Sequence, residues 1–161
     1  MRLSEFIRSH ANEIVQEWEK HARTCLPAAS SMDDERLRDH VVELVAFIAD
    51  DMDSAQSSFE QSEKAQGRGP NKDEDSEAEV HAVMRAADGF TIDQVMGEFR
   101  ALRASILRLR TKEPATQPEV IEITRFNESI DQMLSCQRRF KTAPLCYKFV
   151  GVKLTHLAPF H

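Results

Sequence analysis

The stretch from Leu37 to Met52, LRDHVVELVAFIADDM, decides the fold class of this chain. Its apolar residues return at intervals of three and four, which is the spacing of one face of an α-helix. Most of them are bulky aliphatic side chains, so we predict a helix that begins at Asp33 or Asp34 and lies deep in the core. The buried stripe should consist of Leu37, Val41, Leu44, Val45, Ile48 and Met52.

Similar stripes on both sides of this helix predict an all-α chain that forms a single bundle of five to six helices. The first helix should start with Ser4 as its N-cap and end before Pro27, because the residue before a proline avoids the α conformation. A short helix over 55–65 has only Phe59 to anchor it. The other helices are predicted at residues 4–24, 76–88, 92–109 and 118–140.

Two interruptions separate the central helices. Residues 66–75 are rich in glycine and polar residues and predict an exposed loop within one domain. In the helix that follows, Val80, Val83 and Met84 are expected to face inward. Gly89 then suits a left-handed helix end, and Thr91-Ile92-Asp93-Gln94 has the pattern of a capping box. A tight corner should therefore join the helices on either side of Gly89.

Composition limits the possible functions. The chain has 161 residues, a length typical of one domain, and a net charge of −6, which disfavours binding to nucleic acid. No run of about 18 apolar residues predicts a membrane span. Three cysteines without C-x-x-C spacing favour a reducing compartment, so we predict a cytoplasmic protein.

A polar cluster is predicted between two of the helices. His81 and Arg85 lie four residues apart and project from the same side of their helix, and Glu98 and Arg103 on the next helix can approach them across the corner at Gly89. Such a cluster can be a ligand pocket or a pH-sensitive switch that senses a signal, since histidine titrates near neutrality. It can also be a salt-bridge network that only fixes helix register. The sequence leaves both interpretations open.

Signals for a cofactor or a catalytic centre are weak, and we predict neither. His21 and Cys25 can share a helix face, but a structural zinc site needs four ligands, and a buried structural thiol is the stronger reading of Cys25. Haem ligation by His81 would require a pocket that nothing in the sequence marks. The alternative to a signalling role is a helical sensor that binds haem or a metal ion.

Several motifs together resemble a known family. They are LSEFI (3–7), WE (18–19), LPAA (26–29), LRDH (37–40), HAVMR (81–85), GFT (89–91), EFRALR (98–103) and RFNESID (125–131). Their order along the chain is similar to that of the RsbRD-type N-terminal domain, which precedes many bacterial sensor histidine kinases and is related to the N-terminal domains of stressosome co-antagonist proteins. The resemblance covers residues 3–140.

The resemblance implies a globin-like helical bundle without haem, which dimerises and passes a signal to a histidine kinase or another stress-signalling partner. Residues 1–142 are then the sensory and interaction domain. Residues 143–161 form an atypical C-terminal tail that can be ordered or disordered. Since no phosphoacceptor stretch or ATP-binding segment follows Phe140, we expect no kinase activity and no other enzyme activity from this chain.

Overall fold

The computed structural model describes residues 1–38, 40–69, 77–112 and 120–135. These ranges contain eight α-helices and one short 3-10 helix, at Ala28–Ser31, and no strand. The prediction of an all-α chain is confirmed, but the predicted number of helices is too low. The α-helices are α1 (Leu3–Ser9), α2 (Ala11–Ala22), α3 (Asp34–Arg38), α4 (Val41–Asp53), α5 (Ser58–Ala65), α6 (Glu77–Ala87), α7 (Ile92–Lys112) and α8 (Val120–Ser135).

Some predictions fall on residues outside these ranges. They concern most of the loop at 66–75, the extension of the last helix to residue 140 and the tail at 143–161. None of the helices in the described ranges is both long enough and apolar enough to cross a lipid bilayer.

The number of helices differs because two predicted helices are each interrupted by a histidine. His10 lies between α1 and α2 with a φ of −113° and a ψ of 20°, and His40 precedes α4 with a φ of 65° in the left-handed region. Histidine is among the residues that adopt this region more often than most. The apolar stripe continues in phase across each break, so its periodicity cannot reveal them.

The predicted core is largely confirmed. All six residues of the stripe from Leu37 to Met52 are buried. Val95, Phe99, Leu102 and Ile106 of α7 are buried too. Helix α2 packs mainly on α7, α1 on α4, and α5 on α8, so α4, α7 and α8 are central to the bundle.

The prediction that Ser4 is an N-cap is wrong. Helix α1 already begins at Leu3, and the buried Ser4 hydroxyl donates to Asp53 Oδ1 at the end of α4, at 2.9 Å. Arg8 Nη1 donates to the other oxygen of Asp53 at 2.7 Å. Asp53 therefore ties α1 to α4, and the Arg8 hydrogen bond is the main reason that its pKa is lowered from the ordinary 3.8.

We expect Asp53→Asn to lower the free energy of unfolding by about 1 kcal/mol near neutral pH, a small value because the ion pair is partly exposed. A carboxyl with a lowered folded pKa stabilises the fold above its unfolded pKa and loses this effect as pH falls through the folded value. The difference from the wild type should therefore shrink as pH falls below 3.8 and vanish only below the lowered pKa of Asp53 in the folded protein. Urea unfolding at several pH values measures it. Asp50→Asn is the control, because Asp50 binds the same arginine but is 73% exposed. An equal loss of stability in both variants would contradict the role of Asp53 in tying α1 to α4.

Two predicted helix orientations are wrong. Phe59, the expected anchor of α5, is 72% exposed, and the buried residue of that helix is Lys64. In α6, Val80, Val83 and Met84 are only partly buried, whereas His81 and Arg85 are buried together with the alanines at 78 and 82. Both helices turn a charged side chain inward, and an apolar pattern cannot predict that.

The corner between α6 and α7 forms as predicted. Gly89 has a φ of 85°, and the Phe90 amide donates to the Arg85 carbonyl at 2.9 Å, which closes the end of α6. The Thr91 amide donates to Gln94 Oε1 at 2.8 Å, and the Gln94 amide donates to Thr91 Oγ1 at 3.2 Å. This reciprocal capping box starts α7 directly after the corner and sets α7 against α6.

Candidate signal-sensing site

Three of the predicted cluster residues meet between α6 and α7, and we call them the buried triad: His81, Arg85 and Glu98. His81 Nε2 lies 2.9 Å from Glu98 Oε2. Arg85 Nε donates to Glu98 Oε1 at 3.0 Å and to Oε2 at 3.2 Å. The spacing of four residues in α6 brings His81 and Arg85 to the same carboxylate.

The triad is almost completely removed from solvent. Arg85 and His81 are each 2% exposed and Glu98 is 1% exposed. Aromatic rings form much of its surroundings. The His81 ring lies edge-on to Trp18 and Phe99, with centroids 6.4 and 5.7 Å away. The Arg85 guanidinium lies over the rings of Trp18 and Phe90, 5.7 and 4.9 Å from their centroids.

Arg85 also binds α3. Its Nη2 donates to the Leu37 carbonyl, and its Nη1 lies 3.5 Å from the Arg36 carbonyl. These two carbonyls are near the C-terminal end of α3, where backbone acceptors have no partner within the helix. The triad therefore joins α3, α6 and α7, and Trp18 adds α2 to the same contact region. These side chains therefore lie where four helices meet.

Arg103, the fourth predicted residue, lies elsewhere. Its Nη2 donates to Asp131 Oδ1 of α8 at 2.7 Å. The pair is partly exposed, and it connects α7 to α8. Helix α7 thus carries Glu98 toward α6 and Arg103 toward α8.

Comparison with protein families decides where the chain belongs. Residues 12–135 match the model of the RsbT co-antagonist protein rsbRD N-terminal domain. The chain belongs to this family. The match covers more than three quarters of the chain and contains the whole buried triad. No curated protein and no solved structure matches the chain.

Cys25 of this RsbRD N-terminal domain lies beside the triad and is buried, as the sequence predicts. Burial raises the pKa of its thiol; the charge of Glu98 raises it further, and that of Arg85 lowers it. A raised pKa keeps the thiol protonated, and the thiolate is the reactive form and the metal ligand. Cys136 and Cys146 lie outside the described residues.

His21, which can share a helix face with Cys25, packs against the backbone of α7. A Cβ atom at Gly97 would lie 3.2 Å from His21 Nε2. The absence of a side chain at Gly97 therefore leaves room for the His21 ring. In the described part of this RsbRD N-terminal domain, no three His, Cys, Asp or Glu residues lie where they could share a metal ion. His81 Nε2 already contacts Glu98, so it could bind a haem iron only if that contact broke.

Sequence reasoning missed a second buried polar group in this domain, which we call the α8 cluster: Asp51, Lys64 and Glu128. Lys64 is 7% exposed and binds Asp51 of α4, and Glu128 of α8 is 8% exposed. Little in the sequence indicates that these charged residues are buried. Glu128 lies between Phe126 and Ile130, so it is near the edge of the buried stripe of α8, where charged residues are usually exposed.

Proposed function

We propose that this RsbRD N-terminal domain is a non-catalytic sensory and dimerisation domain of bacterial stress or two-component signalling, and that it works in the cytoplasm. Membership of a co-antagonist family supports a regulatory role. The buried triad carries the proposal, because it places three ionisable side chains where three helices meet. A globin-like arrangement of the helices is part of this proposal.

Burial of the triad makes its packing easy to shift. Removing charged groups from water costs several kcal/mol per ion, and their attraction offsets this cost only while the geometry is good. A packing that admits water to the triad can therefore lie within a few kcal/mol of the closed one. A signal that binds one packing better than the other would shift the balance and move α6 relative to α3 and α7.

Arg103 would pass this shift to the last helix. A movement of α7 that changes the surroundings of Glu98 also moves the Arg103–Asp131 pair, which reaches α8. We therefore keep Arg103 with the triad as part of the sensing set. Its role is to couple α7 to α8 rather than to bind Glu98.

Dimerisation is supported by apolar side chains near the first and last helices. Val120 and Ile121, at the start of α8, are 83% and 63% exposed, and Met1 is half exposed. These residues belong to one region, because the Leu3 amide donates to Glu122 Oε1 at 3.1 Å. We assign these exposed apolar side chains at adjoining helix ends to the dimer contact.

We expect the double substitution Val120→Glu and Ile121→Glu to weaken a homodimer at least about 100-fold, since two aliphatic side chains would each lose about 1.5 kcal/mol or more of burial. Sedimentation equilibrium over a wide concentration range measures the dissociation constant. Phe59→Ser is the control, because Phe59 is equally exposed but lies on α5. A monomeric wild type at all concentrations would contradict the proposed dimer.

The partner should be a stress-signalling protein of the RsbT type or a histidine kinase core. A direct test titrates the purified chain into each of these proteins and follows binding by calorimetry together with the partner's own activity. We expect the chain to bind one of them and change its activity. Binding to neither, or turnover of a small substrate by the chain alone, would contradict the proposal.

A further inference from the structure

Glu128 of the α8 cluster is a buried carboxyl group with incomplete hydrogen bonding. Its Oε2 atom is buried and has no hydrogen-bond partner. The neighbouring Lys64 ammonium binds Asp51 Oδ2. An ionised carboxylate in this position would be a buried charge without a direct partner, which is unfavourable. The neutral acid avoids this cost because it carries no charge.

The chain after α5 lies directly on the C-terminal end of α8. The Gly69 amide donates to Gln132 Oε1 at 2.9 Å. Gly67 has a φ of 65°, and a Cβ atom there would come within 2.4 Å of Ser135 Cβ. A Cβ atom at Gly69 would lie 2.7 Å from Lys64 Cγ. Only glycine allows this close approach, so residues 66–69 pack against the last turn of α8 and against Lys64 of the α8 cluster.

Charged groups of both signs face Glu128. Arg125 and Asp131 lie on its own helix, Lys64 lies on α5, and Asp51 lies on α4. Burial is the main cause that raises the pKa of Glu128; Asp51 and Asp131 also raise it, while Arg125 and Lys64 lower it. For an acid with a raised folded pKa, the closed packing loses stability as pH rises from the ordinary value of 4.5 to the raised one.

We propose that Glu128, together with Lys64 and Asp51, forms a proton-operated latch that holds residues 66–69 on the C-terminal end of α8. A neutral Glu128 closes the latch, and an ionised Glu128 opens it by drawing water toward the buried carboxylate. This inference deepens the proposed function, because α8 is the helix to which the Arg103–Asp131 pair would pass the movement of α7.

Hydrogen exchange of the full chain tests the latch. We expect the protection of residues 58–69 and 126–135, corrected for intrinsic exchange rates, to fall severalfold as pH rises above the ordinary glutamate pKa of 4.5. In Glu128→Gln, which is always neutral, protection of these residues should not change with pH. Glu13→Gln, on the exposed face of α2, should behave as the wild type. The same pH dependence in wild type and Glu128→Gln would overturn the proposal.

A second variant opens the latch without changing any charge. Gly67→Ala should lower the protection of residues 58–69 and 126–135 at all pH values, because its Cβ meets Ser135. Gly89→Ala is the matched control, since Gly89 also has a positive φ but has nothing within 4 Å of an added Cβ. Unchanged protection of α8 in Gly67→Ala would overturn the latch. Dimerisation and partner binding are measured separately, so failure of the latch is distinguishable from failure of the signalling role.

Discussion

Glu98→Ala is expected to destabilise the fold by about 3–5 kcal/mol, because it leaves Arg85 and His81 buried without their common acceptor. In the wild type, the Glu98 carboxylate receives two contacts from Arg85 and one from His81. All three residues are at most 2% exposed, so bulk water does not reach the two side chains that lose their acceptor. Urea unfolding followed by circular dichroism measures the loss.

An exposed ion pair provides the comparison for this substitution. Glu63 accepts hydrogen bonds from Arg68, but this arginine is 53% exposed. Glu63→Ala should therefore lower the stability far less than Glu98→Ala does. A loss in Glu98→Ala no greater than that in Glu63→Ala would mean that the triad is hydrated in solution and not buried.

Trp18→Ala is expected to cost about 3–5 kcal/mol as well, by creating a cavity beside the triad. Trp18 is among the largest fully buried side chains, and its ring contacts both His81 and the Arg85 guanidinium. Its removal deletes a large apolar surface and also opens a path for water to the charged groups. The same unfolding measurement applies, with circular dichroism as the signal because no other tryptophan is present.

Two variants check this interpretation. Phe59→Ala also removes an aromatic ring, but from an exposed position on α5, and should change stability by less than about 0.5 kcal/mol. Trp18→Phe keeps an aromatic ring and should lose less than Trp18→Ala. Equal stability of the two Trp18 variants would show that the ring contributes little to the packing around the triad.

The helices were most predictable where apolar pattern and capping signals agreed. The stripe from Leu37 to Met52 identifies the buried face of α3 and α4, and the Thr91–Gln94 capping box places the start of α7. The breaks at His10 and His40 could not be predicted, because a break of one or two residues leaves the stripe nearly in phase.

Buried charges explain the remaining errors in the fold. Lys64 is buried because Asp51 lies on a different helix that packs against it, and only the tertiary structure brings the two together. Arg110 is buried in the same way: it donates to the Met1 carbonyl at 3.3 Å and lies over the Phe6 ring. A hydropathy pattern assigns all such residues to the surface, so it misplaced the inner faces of α5 and α6.

The site was predictable in part. The spacing of His81 and Arg85 and the tight corner at Gly89 bring both residues to Glu98. Arg103 was misplaced by the same reasoning, although helix geometry contains the answer. Arg103 lies five positions after Glu98, which is a rotation of about 140° around the helix axis. The two side chains must therefore face different neighbours.

If the buried triad lets this domain exchange between two packings, NMR relaxation dispersion should detect the exchange on the amides of α6 and α7 and on the indole of Trp18. The wild type is compared with a variant that carries His81→Phe, Arg85→Met and Glu98→Leu. We expect microsecond-to-millisecond exchange with a minor state of about 0.1–10% in the wild type only, while the apolar variant folds with similar or greater stability. Flat profiles in the wild type, or the same exchange in both proteins, would contradict the claim.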